Sequence, residues 1–152
     1  MINLTYKKGD LFEDLENKKG IILLHSCNSL GVWGSGIAKT FKEKFFSAFF
    51  EYHNNSNKLG SGYILEDNGY KIGCLITSSG YGNYADPPPL IVKSTSKALK
   101  NLFKGIKEKD IIIHSPKINA GLFKVPWEET EEAILTVGNE SDKNITWLVF
   151  EL

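Results

Sequence analysis

The chain has 152 residues, of which 41% are hydrophobic and 24% are charged, a composition typical of a globular protein. This length suits one domain with a substantial core, and we predict a single domain over residues 1–152. The 18 basic and 18 acidic residues cancel, so no overall charge draws the chain to nucleic acid or to an anionic membrane, and we expect neither as a partner.

The first half of the chain alternates strand and helix patterns. Residues 2–8 alternate as a strand does and end at Gly9-Asp10. The continuous apolar run 20–25 predicts a strand that is buried on both faces. From Ile37 to Tyr52, apolar residues recur every three or four positions, which predicts one amphipathic helix. Whether a short helix also follows the first strand stays open.

The second half continues the alternation. Segments 61–66 and 70–77 flank the tight-turn sequence Asp67-Asn68-Gly69 and predict a hairpin. Three prolines at 87–89 open the next helix, with Asp86 as its expected N-cap. Strand 111–115, a helix beginning at Pro126 and strand 145–150 complete the chain. This order predicts a three-layer α/β/α domain with a mixed, largely parallel central sheet of about six strands.

Ligands of such sheets bind beyond the carboxyl ends of the strands. Four unusual segments follow predicted strands, and three of them carry several small residues; they are 9–11, 25–40, 78–89 and 116–126. We therefore expect the binding site at the edge of the sheet where these segments gather.

Segment 25–40, HSCNSLGVWGSGIAKT, resembles two phosphate-binding motifs but fits neither. A P-loop has Lys and Ser/Thr directly after its second glycine, whereas Ile37 and Ala38 separate Gly36 from Lys39 here. The dinucleotide-binding fingerprint fails because Lys39 stands where the third glycine belongs. A strand end, glycines and a helix start still form an anion site from unpaired amides, and a plain strand-to-helix turn is an equally good interpretation.

The chain contains lysine as its only strongly basic residue, so a phosphate site here must use backbone amides and lysine instead of arginine. The loop after strand 111–115 repeats the pattern of small residues; it contains Asn119, Ala120, Gly121, Leu122 and Phe123. Two amide-rich loops on one edge would hold the two phosphates of a diphosphate.

Catalytic interpretations concern His25 and Cys27, which face the same side of a strand. His25 is a candidate acid or base because imidazole titrates near neutrality, and pairing with the backbone at a strand end is at least as good an explanation. Cys27 lacks an adjacent helix start and is more simply a buried thiol. Cys27 and Cys74 show neither metal-ligand spacing nor a disulfide framework, so we expect no metal, no cofactor and a reduced environment.

The N-terminus does not have the pattern of a signal peptide, and no apolar run is long enough to span a membrane. A cytoplasmic location is therefore expected.

Taken together, these segments resemble the macrodomain family, which binds ADP-ribose, over nearly the whole chain. Three separate parts of the family pattern carry the resemblance. The segment Gly9-Asp10-Leu11 resembles the motif that recognises adenine, HSCNS with WGSGIA resembles the first phosphate loop, and PKINAGLFKVPWEET resembles the second.

The resemblance implies a set of site residues. Asn28 would contact the distal ribose, Phe123 would cover it, and Phe150 would lie near adenine. Cys27 falls within the same ligand-binding segment. The phosphates would be bound by Gly34, Ser35, Gly36, Ile37 and Ala38, and by Asn119, Ala120, Gly121, Leu122 and Phe123.

Within the family the sequence looks most like the fungal ADP-ribose-1″-phosphate phosphatase branch, for which His25 is the matching catalytic candidate, acting with Asn28. The chain departs from two branches that remove ADP-ribose from macromolecules. Ser78 and Ser79 stand where one branch has lysine, Phe123 stands where it has aspartate, and Ala38 replaces the aspartate of the other.

The implied function is removal of the terminal phosphate from ADP-ribose 1″-phosphate by a monomeric, metal-independent enzyme. One alternative is a module that binds ADP-ribose or a related nucleotide without turnover. A second alternative is a mono-ADP-ribosyl hydrolase that acts on modified protein or nucleic acid.

Overall fold

A computed structural model describes all of residues 1–152. The chain forms six strands, and these are β1 (Ile2–Lys8), β2 (Ile22–Asn28), β3 (Gly62–Asp67), β4 (Tyr70–Ser78), β5 (Asp110–Ser115) and β6 (Asn144–Glu151). It also forms four α-helices, and these are α1 (Gly36–Lys44), α2 (Phe46–Asn54), α3 (Pro88–Lys104) and α4 (Trp127–Glu140). None of these helices is long and apolar enough to cross a membrane.

The six strands form one sheet in the order β1-β6-β5-β2-β4-β3. All neighbours are parallel except β3, which pairs antiparallel with β4 across the predicted hairpin. This arrangement confirms the mixed, largely parallel sheet of six strands that the sequence predicts. Strands β2 and β4 both have a neighbouring strand on each side, which agrees with their near-continuous apolar runs.

The two faces of the sheet carry separate apolar cores. Leu24 faces the core beneath α3 and α4, which also contains Leu99, Ile134 and Trp147. Its neighbour Leu23 faces the opposite core beneath α1 and α2. Successive side chains of a strand point to opposite faces, so the run in β2 supplies both cores and the fold has the predicted three layers.

The predicted helix from Ile37 to Tyr52 is interrupted at Phe45, where φ is −131° and ψ is 63°. The restart has a physical cause on a distant strand. The buried carboxylate of Asp67 on β3 accepts a hydrogen bond of 3.0 Å from the amide of Ala48, in the first turn of α2. An acceptor at this position satisfies an otherwise unpaired amide, so Asp67 stabilises a new helix start.

The prediction of Asp86 as an N-cap is wrong. Helix α3 begins at Pro88, and the Asp86 carboxylate instead accepts a hydrogen bond of 2.8 Å from the Ser79 amide. Prolines at 87–89 have no N–H groups, and the first available amide, of Leu90, already donates to the Pro87 carbonyl. The helix therefore presents Asp86 with no free amide to cap.

The connection after β1 contains a single 3₁₀ turn, Leu15–Asn17, and no α-helix. The face of β1, β6 and β5 on this side is therefore covered by a loop alone. Ile112, in the middle of β5, remains 47% exposed on this face.

Candidate ligand-binding site at the carboxyl edge of the sheet

Five parallel strands end at the same edge of the sheet. Their last residues are Lys8, Asn28, Ser78, Ser115 and Glu151. The segments that follow β1, β2, β4 and β5 are the four that the sequence analysis singled out, so the fold brings them to one edge.

The first loop ends in a helix start with free amides. Helix α1 begins at Gly36, and Ser35 makes no side-chain cap bond there. The first backbone bond of this turn runs from the Lys39 amide to the Ser35 carbonyl, so the amides of Gly36, Ile37 and Ala38 precede any intrahelical partner. Gly34, Ser35, Gly36 and Ile37 are exposed, which leaves these donors and the positive end of the helix dipole accessible to an anion.

The second loop, which follows β5, also has backbone amides without a protein partner. It is closed by bonds from the Ala120 amide to the Lys117 carbonyl and from the Val125 amide to the Asn119 carbonyl. The amides of Gly121, Leu122 and Phe123 donate to no group of the protein. Gly121 and Leu122 are exposed, while Ala120 and Phe123 are half-buried. A second set of free donors therefore faces the same edge.

The two loops touch each other. A Cβ atom placed on Gly36 would lie 3.3 Å from Cδ1 of Leu122, so a side chain at position 36 would press on the second loop. Gly36 also has a φ of +61°, a conformation that favours glycine. The amides of both loops are thus close enough to act on one ligand.

Asn119 fixes the second loop from below. Its side chain is 3% exposed, accepts a hydrogen bond of 2.9 Å from Thr77 and donates one of 2.9 Å to Thr95. Its backbone amide donates to Ser26 Oγ at 3.2 Å, and its φ is +66°. One residue therefore ties the loop to β2, β4 and α3. The sequence predicts Asn119 as a binding residue, and in the structure its side chain lies under the loop.

The Asn28 side chain stabilises the first loop through three hydrogen bonds to its backbone. Its Oδ1 accepts from the amides of Leu30 and Val32 at 3.1 and 3.3 Å, and its Nδ2 donates to the Val32 carbonyl at 2.8 Å. The side chain is 5% exposed. The predicted contact of Asn28 with the distal ribose stays a prediction, since these bonds use the amide inside the loop.

His25 lies in the interior, on the side of the sheet covered by α1 and α2. Its ring is fully buried, stacks on Phe41 at a centroid distance of 4.0 Å and contacts the edge of Trp33 at 4.6 Å. Among side chains, its nitrogens come within hydrogen-bonding distance only of the Cys27 sulfur, at 3.6 and 3.9 Å. The catalytic role of His25 stays a prediction, and the structure separates the ring from the exposed amides of the two loops.

The predicted adenine end of the site is partly buried. Gly9 donates from its amide to the Glu151 carbonyl at 2.8 Å, and the exposed Asp10 accepts from the Phe12 amide at 3.0 Å. Leu11 and Phe150 are 2% and 7% exposed, within the core under α1 and α2. Of the predicted residues at this end, only Gly9 and Asp10 are therefore accessible to a ligand.

Asp86 is a further carboxylate at this edge of the sheet. The loop that carries it is fixed to β2, because the Ser29 hydroxyl donates to the Ser79 carbonyl at 2.7 Å and the Ser29 amide to the Ser78 carbonyl at 2.9 Å. Asp86 is half-buried, and only one of its oxygens has a protein partner. The Ser78-Ser79 pair beside the Pro-rich run is the sequence signal for this constrained loop.

Two cavities lie away from the phosphate loops. One, of about 270 Å³, lies near the carboxyl ends of α3 and α4, at the opposite edge. The other, of about 230 Å³, lies under the loop after β1 and is lined by Lys18, His114 and Phe150 among others. The free amides of the two loops therefore lie apart from both cavities, where Leu122 is next to Gly36.

Comparison with known proteins gives a consistent result. Residues 24–134 match the family model described as Macro domain. An ADP-ribose 1″-phosphate phosphatase of Candida albicans is 39% identical, and the match covers 90% of this chain and 94% of that protein. A protein of the same name from Lodderomyces elongisporus is 37% identical, with 95% and 98% covered.

Solved structures share the fold at lower sequence identity. The macrodomain of Thermus aquaticus DarG is 21% identical and superposes with a TM-score of 0.76 over the full length of both chains. Thermosipho africanus DarTG in complex with ADP-ribose is 19% identical, with a TM-score of 0.70 over 97% of this chain and 41% of that one. The family model covers most of the chain, and two fungal relatives exceed 30% identity over nearly its whole length. The chain therefore belongs to the macrodomain family.

Proposed function

We propose that this protein is an ADP-ribose-1″-phosphate phosphatase, which hydrolyses the terminal phosphate to give ADP-ribose and phosphate. The observation that carries the proposal is the contact between two loops whose free amides face the same edge of the sheet. The fungal relatives with this name match over nearly their full length. A cytoplasmic location and a monomeric state remain predictions that go with this function.

Substrate binding in this proposal uses backbone donors. The amides of Gly36, Ile37 and Ala38 and those of Gly121, Leu122 and Phe123 bind phosphate oxygens without a cationic side chain. This agrees with the absence of arginine from the chain. Donors that are already oriented also stabilise the charge that develops on phosphoryl oxygens during transfer.

The reaction requires a water molecule to attack phosphorus as the bond to the ribose oxygen breaks. A carboxylate that accepts the proton of this water is one way to assist it. Asp86 is the half-buried carboxylate at the ends of β2 and β4, and one of its oxygens is without a protein partner. We assign it this role. His25 then acts on the site through the packing of Phe41 and Trp33, as a positioning residue.

Release of inorganic phosphate from ADP-ribose 1″-phosphate tests the function directly. We expect wild-type turnover without added metal, and Asp86→Asn to lower kcat by about 10²–10⁴-fold, the usual contribution of a general base. Asp142→Asn, an equivalent change at the opposite edge, is the matched control. Absence of phosphate release from folded wild-type protein would refute the function, and full activity of Asp86→Asn would refute only the role of Asp86.

The two possible roles of His25 are separated by His25→Phe, which keeps a flat ring against Phe41. A positioning role predicts that this variant retains most of the wild-type kcat, while His25→Ala loses activity and stability together. A loss of 100-fold or more in kcat for His25→Phe, with an unchanged circular dichroism spectrum, would establish the direct catalytic role.

A non-catalytic ADP-ribose-binding module is the second candidate, and the full burial of His25 favours it. The related Thermosipho africanus structure is a complex with ADP-ribose. Calorimetry that shows ADP-ribose binding, together with no phosphate release from the 1″-phosphate, would support this candidate over the enzyme.

A further inference from the structure

Three side chains that ligate metals meet in the core under α1 and α2. In the register of the sheet, His25 on β2 lies beside Cys74 on β4, and Cys27 is two residues further along β2 on the same face. The imidazole nitrogen and the two sulfur atoms all lie within 4.8 Å of one another. Both cysteines are free.

The ligand atoms of this cluster are not part of the exposed phosphate-binding loops. His25, Cys27 and Cys74 are 0%, 2% and 0% exposed, and the free amides of the two loops lie at the surface. Polar groups that are buried this completely require partners, and here they have mainly one another.

A fourth buried polar group lies next to the cluster. The indole N–H of Trp33 is buried and donates to no protein acceptor by ordinary geometry. The ring of Trp33 lies against His25, so this unpaired donor lies beside the cluster.

We propose that His25, Cys27 and Cys74 form a binding site for a soft monovalent metal ion, Cu(I), held by two thiolate sulfurs and one imidazole nitrogen. The site lies inside the protein, beneath the first phosphate loop. Its three ligands are buried and the loop amides are exposed, so the ion and the substrate occupy different places, and His25 also packs against Phe41 and Trp33.

The spacing of the ligands supports a three-coordinate ion. Metal–sulfur bonds of about 2.3 Å and metal–nitrogen bonds of about 2.0 Å place the ligand atoms of a trigonal site roughly 3.7–4.0 Å apart. The Cys27 sulfur is already 3.6 Å from Nε2 of His25, and the whole set lies within 4.8 Å. Shifts of an ångström or less would complete the coordination.

The composition of the site selects among metals. Thiolates favour Cu(I) and Zn²⁺, whereas Mg²⁺ and Ca²⁺ require oxygen ligands. A structural zinc site takes four ligands, and this cluster contains three and no carboxylate. The aromatic rings of Phe41 and Trp33 lie against His25 and add no further ligand atom of the kind that zinc prefers. A monovalent ion also leaves less net charge in an apolar core than a bare pair of thiolates does.

Binding is balanced by proton release and involves no redox change. Cu(I) replaces the protons of the thiols that are still protonated, which enter solution, and the neutral imidazole donates its lone pair. The two sulfurs remain at the thiolate oxidation level. The bound ion joins β2 to β4 directly, so it raises the resistance of the fold to heat.

The test begins with anaerobic titration of the reduced full-length protein with Cu(I), in competition with a chromogenic Cu(I) chelator. We expect retention of one Cu(I) per chain and a higher thermal midpoint in its presence. X-ray absorption of the loaded wild-type protein should show two sulfur neighbours and one nitrogen neighbour at bonding distance. A shell of oxygen and nitrogen alone, or preferential retention of Zn²⁺ over Cu(I), would overturn the proposal.

Variants locate the ion. Cys27→Ser, Cys74→Ser and His25→Phe should each weaken Cu(I) binding by at least tenfold, while His114→Gln, which removes a histidine outside the cluster, should bind like the wild type. The X-ray absorption spectrum of the wild-type protein identifies the ligands even if a core variant fails to fold. Equal Cu(I) affinity of the wild type and a folded Cys74→Ser variant would exclude this site.

Discussion

At the scale of single residues, Asn119 shows how one side chain positions a binding loop. Its amide bonds to Thr77 and Thr95, and its φ of +66° is one that asparagine tolerates better than most residues. We expect Asn119→Ala to lower the free energy of unfolding by about 1–3 kcal/mol, because it leaves the buried Thr77 hydroxyl without an acceptor. We also expect it to weaken ADP-ribose binding about tenfold, measured by calorimetry.

Asn119→Gly is the matched variant for this residue. Glycine accepts the positive φ but makes no side-chain bonds, so a shared loss in both variants assigns the effect to the amide. A full recovery of binding in Asn119→Gly would show instead that the backbone conformation is what matters.

The structure also predicts a pH dependence that centres on His114. Burial, together with the nearby charges of Lys18 and Lys7, lowers the pKa of His114 from 6.5 to about 4. Between these values the unfolded chain binds the proton more strongly than the folded chain does, so stability is fully present above pH 6.5 and is lost as the pH falls toward 4. The side chain is only half-buried, which limits the size of the effect.

Thermal midpoints measured from pH 7.5 to pH 4 for the wild type and His114→Gln check this prediction. The wild type should lose more stability over this range than the variant, and the two curves should differ most below pH 6. Parallel curves would show that other groups, chiefly carboxylates, account for the acid sensitivity.

The sequence alone does not determine which distant side chains lie next to one another. The sequence places His25 and Cys27 on one face of a strand, but the adjacency of Cys74 depends on the register between β2 and β4, which no local pattern reports. This is why the sequence predicts no metal site and the structure shows a cluster of ligands. The glycine loops, in contrast, were predictable because strand ends and helix starts have local signals.

At the scale of elements, the break between α1 and α2 depends on a residue that is far away in sequence. The Asp67 carboxylate, 7% exposed, accepts from the Ala48 amide in the first turn of α2. We expect Asp67→Ala to lower the free energy of unfolding by about 0.5–2 kcal/mol, the usual cost of losing a cap. Denaturant unfolding followed by circular dichroism measures this loss.

Asp67→Asn is the control for this prediction, because its side-chain oxygen still accepts the bond. It should lose less stability than Asp67→Ala. If both variants matched the wild type, the bond to Ala48 would contribute nothing to the helix start.

The same example shows what sequence periodicity determines. The apolar stripe from Ile37 to Tyr52 predicts the helical state correctly, since Phe41, Ala48 and Tyr52 are all buried. It does not predict the interruption at Phe45, because the acceptor that makes a second start favourable arrives from β3. Strand and helix order was predictable from local pattern, and the details that failed depend on contacts between elements.

At the scale of the whole molecule, the two cores share one sheet, and this predicts cooperative unfolding. Trp147 is buried on the side of α3 and α4, and Trp33 on the side of α1 and α2. Since β2 supplies side chains to both cores, loss of either core exposes the other face of the same strand. We expect the prediction of a single domain to appear as one unfolding transition.

Two double variants report the cores separately. Trp33→Phe with Trp127→Phe leaves Trp147, and Trp127→Phe with Trp147→Phe leaves Trp33. In each, the midpoint of tryptophan fluorescence in denaturant should coincide with that of far-ultraviolet circular dichroism. ADP-ribose at about 100 times its Kd should add about 2.7 kcal/mol to the free energy of unfolding reported by either tryptophan, because a ligand at the shared edge stabilises the entire folded state. A shift confined to Trp33 would show that the two halves unfold independently and that the site belongs to only one of them.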